Sequence, residues 1–144
     1  MNINETKKFS PVFHPALNYD KTKTPNLITV VLQNFSTREV LYGATMNQEA
    51  LEKTLDTRRV YLYSRSAKKV RLKGATSGDF LQVMNILTNC NQDCLLMQVK
   101  PLGENGGVCH TKNKDSKHRT TCFYRIMGCI VGKTTEYSFT HLEK

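Results

Sequence analysis

From Leu27 onward, short runs of β-branched and aromatic residues alternate with glycines and polar breaks, and a single stretch shows helical spacing. Leu27-Ile28-Thr29-Val30-Val31-Leu32 and Val40-Leu41-Tyr42 flank the polar break Asn34 to Thr37, the pattern of a β-hairpin. Asn47 can cap a helix running to about Thr57. Ala50, Leu51, Thr54 and Leu55 share one face of it, while Glu49, Glu52 and Lys53 fall elsewhere. Strand-forming residues return at Val60 to Tyr63, Lys69 to Leu72, Phe80 to Leu87 and Leu95 to Val99. Gly74, Gly78, Gly103, Gly106 and Gly107 punctuate them, and Tyr124 to Val131 with Tyr137 to Phe139 supplies one more hairpin. The expected class is α+β, a β-rich single domain with one clear helix.

At 144 residues the chain suits one domain, since domains cluster at roughly 100–200 residues. Pro11, Pro15 and Pro25 crowd the start, so residues 1–25 read as an irregular N-terminal arm and 26–144 as the domain. No run approaches the roughly 18 apolar residues of a membrane span, and Met1 to Ser10 lack an apolar signal core, so the expected location is cytoplasmic. Five cysteines, an odd number, argue against a disulfide framework. Lys and Arg number 21 against 12 Asp and Glu, a formal charge of +9 that points to an anionic partner. Charge alone does not separate a nucleic acid from a phosphorylated metabolite.

Two basic clusters carry much of this charge: Arg65, Lys68, Lys69, Arg71 and Lys73, then Lys112, Lys114, Lys117, Arg119 and Arg125. Such clusters are commonly solvated surface. The first, however, runs into Lys73-Gly74-Ala75-Thr76-Ser77-Gly78. Two glycines let a backbone approach a ligand closely, and a lysine with two hydroxyls beside free N–H groups suits a phosphate. The spacing is not that of a Walker loop. Cys90, Cys94, Cys109, Cys122 and Cys129 match no zinc-finger template, and a buried cysteine is often a small apolar core residue. His110 beside Cys109 adds a possible ligand or acid–base group.

Five motifs occur in an order that resembles the phosphoribosyl-AMP cyclohydrolase family of histidine biosynthesis. They are Met46-Asn47-Gln48-Glu49-Ala50-Leu51, Ser64-Arg65-Ser66, Lys73-Gly74-Ala75-Thr76-Ser77-Gly78, Cys109-His110-Thr111 and Cys122-Phe123-Tyr124-Arg125. The resemblance implies a zinc hydrolase that opens the adenine ring of phosphoribosyl-AMP by adding water across the N1–C6 bond. It assigns the zinc to Cys90, Cys109 and Cys122, drawn from both subunits of an intertwined homodimer. Three thiolates leave a fourth tetrahedral position open. The same resemblance makes His110 the proton-transfer residue. It gives the phosphates of a small nucleotide to Arg65, Ser66, Lys73, Gly74, Thr76, Ser77, Gly78 and Arg125, and leaves Cys94 and Cys129 to the core.

The chain also departs from the family. Asn89-Cys90-Asn91-Gln92-Asp93 stands where the family has Asp-Cys-Asp-x-Asp, a set associated with magnesium. Only Asp93 keeps its carboxylate there, and Mg²⁺ depends on anionic oxygen, so a magnesium site is expected to be weak or absent. Ala75 replaces a Glu, Arg71 a Trp, Thr45 a Tyr, and Tyr61-Leu62-Tyr63 replaces His-Tyr-Trp. The interval from Cys109 to Cys122 is several residues longer than the family's, and the extra residues are largely basic. Two alternatives follow. One is a paralogue acting on another phosphorylated purine-like substrate. The other is a nucleic-acid-binding module with a structural zinc, against which the basic residues flank glycine turns rather than line a helix.

Overall fold

A computed structural model of the chain describes residues 5–15, 25–127 and 139–142. Its elements run β1 (Ile28–Asn34), β2 (Val40–Met46), α1 (Gln48–Thr57), β3 (Tyr61–Ser64), β4 (Lys69–Leu72), β5 (Leu81–Thr88), β6 (Cys94–Pro101), β7 (Arg125–Met127) and β8 (Phe139–His141). The α+β, β-rich reading holds. A four-stranded sheet has the order β2-β1-β6-β5, in which β1 and β6 are parallel and the other pairs antiparallel. β3 with β4, and β7 with β8, form separate two-stranded units.

The expected first hairpin forms as β1 and β2 because Asn34 organises its turn. Its Oδ1 accepts the backbone N–H of Ser36 at 2.8 Å and of Thr37 at 3.0 Å. The expected helix begins where Asn47 Oδ1 accepts the N–H of Ala50 at 2.8 Å, and it ends at Arg58 in the left-handed region, φ 57°. Ala50, Leu51 and Thr54 are buried, but Leu55 is 45% exposed. Leu55 lies farthest around the helix from Ala50, and a ten-residue helix packed mainly on β3 covers only a narrow arc. Thr54 joins helix to strand: its hydroxyl donates to Ala50 O at 2.8 Å and accepts Tyr61 N–H at 2.9 Å.

The core follows the two-residue period of the sheet. Ile28, Val30 and Leu32 of β1, Leu95, Met97 and Val99 of β6, and Leu81 and Val83 of β5 are buried together, with Leu41, Met46, Leu51, Val60 and Val108. Residues 5–15 lie against the β5–β6 turn: Ser10 N–H donates to Gln92 Oε1 and Val12 N–H to Gln92 O, both at 2.7 Å. Of the expected last hairpin, Arg125–Met127 pairs with Phe139–His141, while Val131 and Tyr137 lie outside the described residues. Cys129 also lies outside them, and Cys94 is half-buried at the start of β6. No helix of the described residues is long and apolar enough to cross a membrane.

Candidate active site

An open groove of about 2150 Å³ lies between β2, the β3–β4 hairpin and the glycine loop that follows β4. Arg65, Ser66, Lys73, Gly74, Thr76 and Ser77 all border it, so six of the sequence-expected binding residues are gathered on one surface. His110 borders it too. Arg65 and Ser66 sit at the β3–β4 turn, and Lys73 enters the loop where its N–H donates to Val60 O at 2.9 Å.

Gly74 (φ 95°) and Gly78 (φ 81°) give the loop its shape. A Cβ at Gly74 would lie 2.5 Å from the backbone carbonyl carbon of Asp79, so the chain folds back on itself there with no room for a side chain. The sequence suggested a row of free N–H groups. Two of them are engaged internally, because Gly78 N–H donates to Gly74 O at 2.8 Å and Ala75 N–H to Leu72 O at 3.2 Å. A tight turn needs those bonds to close, and residues 74–77 all border the groove.

Lys73 is the link between loop and cysteines. Its Nζ donates to Val108 O and lies 5.2 Å from the centre of the Tyr42 ring. Burial lowers its pKa, while the nearby Cys109, Asp79 and Cys122 hold it up. Cys109 is buried, with its sulfur 3.0 Å from Thr111 Oγ1, and it shares a hydrogen bond with Cys122. Burial opposes ionisation of Cys109, but hydrogen bonds from Thr111 and Cys122 and the Lys73 charge bring its thiol below the ordinary value. Cys122 moves the other way, raised by burial and then by the neighbouring Cys109. Beside the half-buried Lys73, the first thiol ionises more easily than its neighbour, and the lysine charge favours the thiolate form that binds metal.

The fold brings the two cysteines together through backbone bonds: Cys109 N–H donates to Arg119 O at 2.9 Å and Cys122 N–H to Leu41 O at 2.7 Å. Arg125, at the start of β7, is close enough to Cys122 to lower its pKa, and it packs on the rings of Tyr124 and Phe139. It does not line the groove. Sequence reasoning missed Tyr42, Asp79 and His118. His118 Nδ1 lies 2.6 Å from Asp79 Oδ2, and His118 borders the same groove.

The sequence model of phosphoribosyl-AMP cyclohydrolase matches residues 43–124, the segment that holds this loop and both cysteines. The chain belongs to the phosphoribosyl-AMP cyclohydrolase family. It is 38% identical over 133 residues to the phosphoribosyl-AMP cyclohydrolase of Mesorhizobium japonicum, covering 92% of this chain and 76% of that one. With the enzyme of that name from Erythrobacter litoralis it shares 38% over 125 residues, or 87% of this chain and 89% of that one. It is 42% identical over 122 residues to the histidine biosynthesis bifunctional protein HisIE of Pasteurella multocida, covering 85% of this chain and 54% of the relative. The chain thus spans about half the length of that bifunctional protein.

Membership brings a metal into question, and the donors answer differently for zinc and magnesium. Cys109 and Cys122 offer two adjoining sulfurs, half of a tetrahedral zinc set. Cys90 is exposed on the β5–β6 turn, with Asn91 Oδ1 at 3.5 Å as its neighbour, and it is not part of that pair. Among the described residues no three metal-ligating side chains converge. The thiol pair therefore fits zinc if a further donor joins it from beyond the described residues or from a second chain. Magnesium does not fit. Asp93 holds one Asn89 N–H at 2.5 Å and faces His14 Nε2 at 3.2 Å, and Asn89 Oδ1 is occupied by the N–H groups of Asp93 and Cys94. The turn closes on itself, and its one carboxylate is already engaged.

Proposed function

We propose that this chain hydrolyses the N1–C6 bond of the adenine ring of phosphoribosyl-AMP in histidine biosynthesis. The observation that carries the reading is the Cys109–Cys122 thiol pair set against a basic groove through Lys73 and Tyr42. Both of those residues line the groove, and both feel the two thiols.

Zinc would be held by Cys109 and Cys122 of one protomer and Cys90 of a second copy. When bound, it supplies a Lewis acid that makes water a nucleophile near neutral pH. The exposure of Cys90 supports a donor directed to another chain. So does the apolar surface around β7 and β8, where Phe123, Ile126 and Phe139 are each more than half exposed. A homodimer covering that surface would bring two shared sites together.

The remaining work belongs to side chains of this chain. The Thr76–Ser77 segment takes one phosphate, and Arg65 with Ser66 takes the other at the far side of the groove. Holding both ends of the nucleotide fixes the adenine ring between them. Lys73 offsets negative charge on the thiols. His110, exposed at the groove, gives N1 a proton as its bond to C6 breaks. The cytoplasm suits this reading, because ligand cysteines must stay reduced.

The test is direct. Zinc-loaded protein mixed with phosphoribosyl-AMP should change the ultraviolet absorbance as the ring opens. An unchanged spectrum would overturn the reading.

A further inference from the structure

The long interval between Cys109 and Cys122 is a folded hairpin. Lys112 and His118 pair as an antiparallel bridge, and Asn113 N–H donates to Lys117 O at 2.8 Å. Asn113 Oδ1 accepts Asp115 N–H at 3.0 Å and Lys117 N–H at 3.1 Å, and Ser116 supplies the left-handed residue of the turn at φ 59°. Arg119 fastens the base. Its guanidinium donates to Lys112 O and Thr111 Oγ1 and stacks 4.0 Å from the centre of the Tyr124 ring.

This hairpin delivers His118 to Asp79, and three glycines make the room. A Cβ at Gly103 would lie 2.3 Å from Asp79 Oδ1. One at Gly107 would lie 2.9 Å from Asp79 Oδ2 and 2.8 Å from His118 Cβ, and Gly74 backs the Asp79 main chain. The Asp79 side chain is only 13% exposed and that of His118 27%. Any side chain at these glycines would displace the pair.

The chemistry of the contact fixes the tautomer. A carboxylate accepts and cannot donate, so the contact puts a hydrogen on His118 Nδ1 and, in the neutral ring, leaves the lone pair on Nε2. An imidazole held this way by a carboxylate is an oriented proton acceptor. His110, by contrast, is exposed, and nothing among the described residues holds its ring. Ring opening needs two proton transfers. The water oxygen bonds to C6 while C6–N1 breaks; one water hydrogen ends on N1 and the other on the exocyclic nitrogen, giving a carboxamide. One histidine supplies the proton to N1, and another group must take the proton from water.

We propose that His118, oriented by Asp79, is the second proton-transfer residue of this groove. The assignment rests on the hydrolase reading above, and the two fail in different ways. Inert wild-type protein overturns both. Active wild type with an equally active His118→Gln overturns this one alone.

His118→Gln keeps an N–H donor for Asp79 but has no basic nitrogen. It should retain wild-type melting behaviour, zinc content and KM while losing about 100-fold in kcat, the usual scale of general acid–base catalysis. Added imidazole should restore part of the activity of His118→Ala. A His118→Gln variant within about threefold of wild-type kcat would reduce the histidine to a structural pin. Independent of turnover, ¹⁵N NMR of the wild-type protein should show His118 with hydrogen on Nδ1. Hydrogen on Nε2 instead would overturn the proposal even if the variants fail to fold.

Discussion

Replacing Gly74 with alanine should destabilise the domain by about 2–4 kcal/mol, whereas the same change at Gly78 should cost only about 0.5–1 kcal/mol. Both residues have positive φ, 95° and 81°, and forcing an L-residue into that region costs about 1–2 kcal/mol. Both changes also stiffen the unfolded chain, which returns roughly 0.4–1 kcal/mol. The difference is space. A Cβ at Gly74 meets Asp79 carbonyl carbon at 2.5 Å and Phe80 N at 2.6 Å, whereas a Cβ at Gly78 meets nothing within 4 Å. Backbone atoms cannot swing aside as a side-chain tip can, so Gly74 adds an overpacking cost of about 1–3 kcal/mol. Urea unfolding of the two variants measures the difference. A Gly78→Ala variant as destabilised as Gly74→Ala would show that backbone conformation, and not the fold-back onto Asp79, sets the cost.

Thr54→Val keeps the shape of a buried side chain but strips the acceptor from Tyr61 N–H, and should cost about 1–3 kcal/mol in urea unfolding. A loss below about 0.5 kcal/mol would show that the helix–strand link is dispensable. Asn89 foremost, then His14, holds the Asp93 carboxyl below its ordinary pKa. The stability this confers is present above the unfolded carboxylate pKa and is lost as pH falls through the lower folded value. Wild type should therefore lose more urea resistance than Asp93→Asn between about pH 6 and about pH 3; parallel profiles would contradict this. Asn89→Asp with Asn91→Asp places carboxylates against Asp93 and should raise magnesium affinity by at least about tenfold in calorimetry. Unchanged affinity would mean that this turn cannot hold the ion whatever its charge.

What the sequence made legible was local. Asn47 three residues before Ala50 is a cap wherever it occurs, and the Asn34 turn between two β-branched runs leaves few choices besides a hairpin. The parallel pairing of β1 with β6 was hidden, since its partners, such as Val30 and Leu95, are far apart in the chain and share no local signal. Cysteine spacing matched no template because the convergence of Cys109 and Cys122 is made by Arg119 and Leu41 carbonyls, not by a short ligand turn. The glycine loop was readable as a ligand-approach motif, but not the internal bonds that engage Ala75 and Gly78. Nothing in the sequence singles out Asp79 beside that loop, because its partner His118 lies 39 positions away in the basic extension between Cys109 and Cys122. Turn chemistry at Asn113 and Ser116 was the signal that could have marked that segment as a hairpin.

The proposed zinc site is completed by a second copy, with Cys109 and Cys122 from one chain and Cys90 from the other. Turnover of phosphoribosyl-AMP by mixed variants distinguishes a shared site from one built within a single chain. Cys90→Ser and Cys109→Ser should each be inactive and zinc-poor alone. Unfolded together and refolded as an equal mixture, half of the dimers would carry one intact site of two, so about a quarter of wild-type activity should return. A mixture as inactive as its components would contradict the shared site.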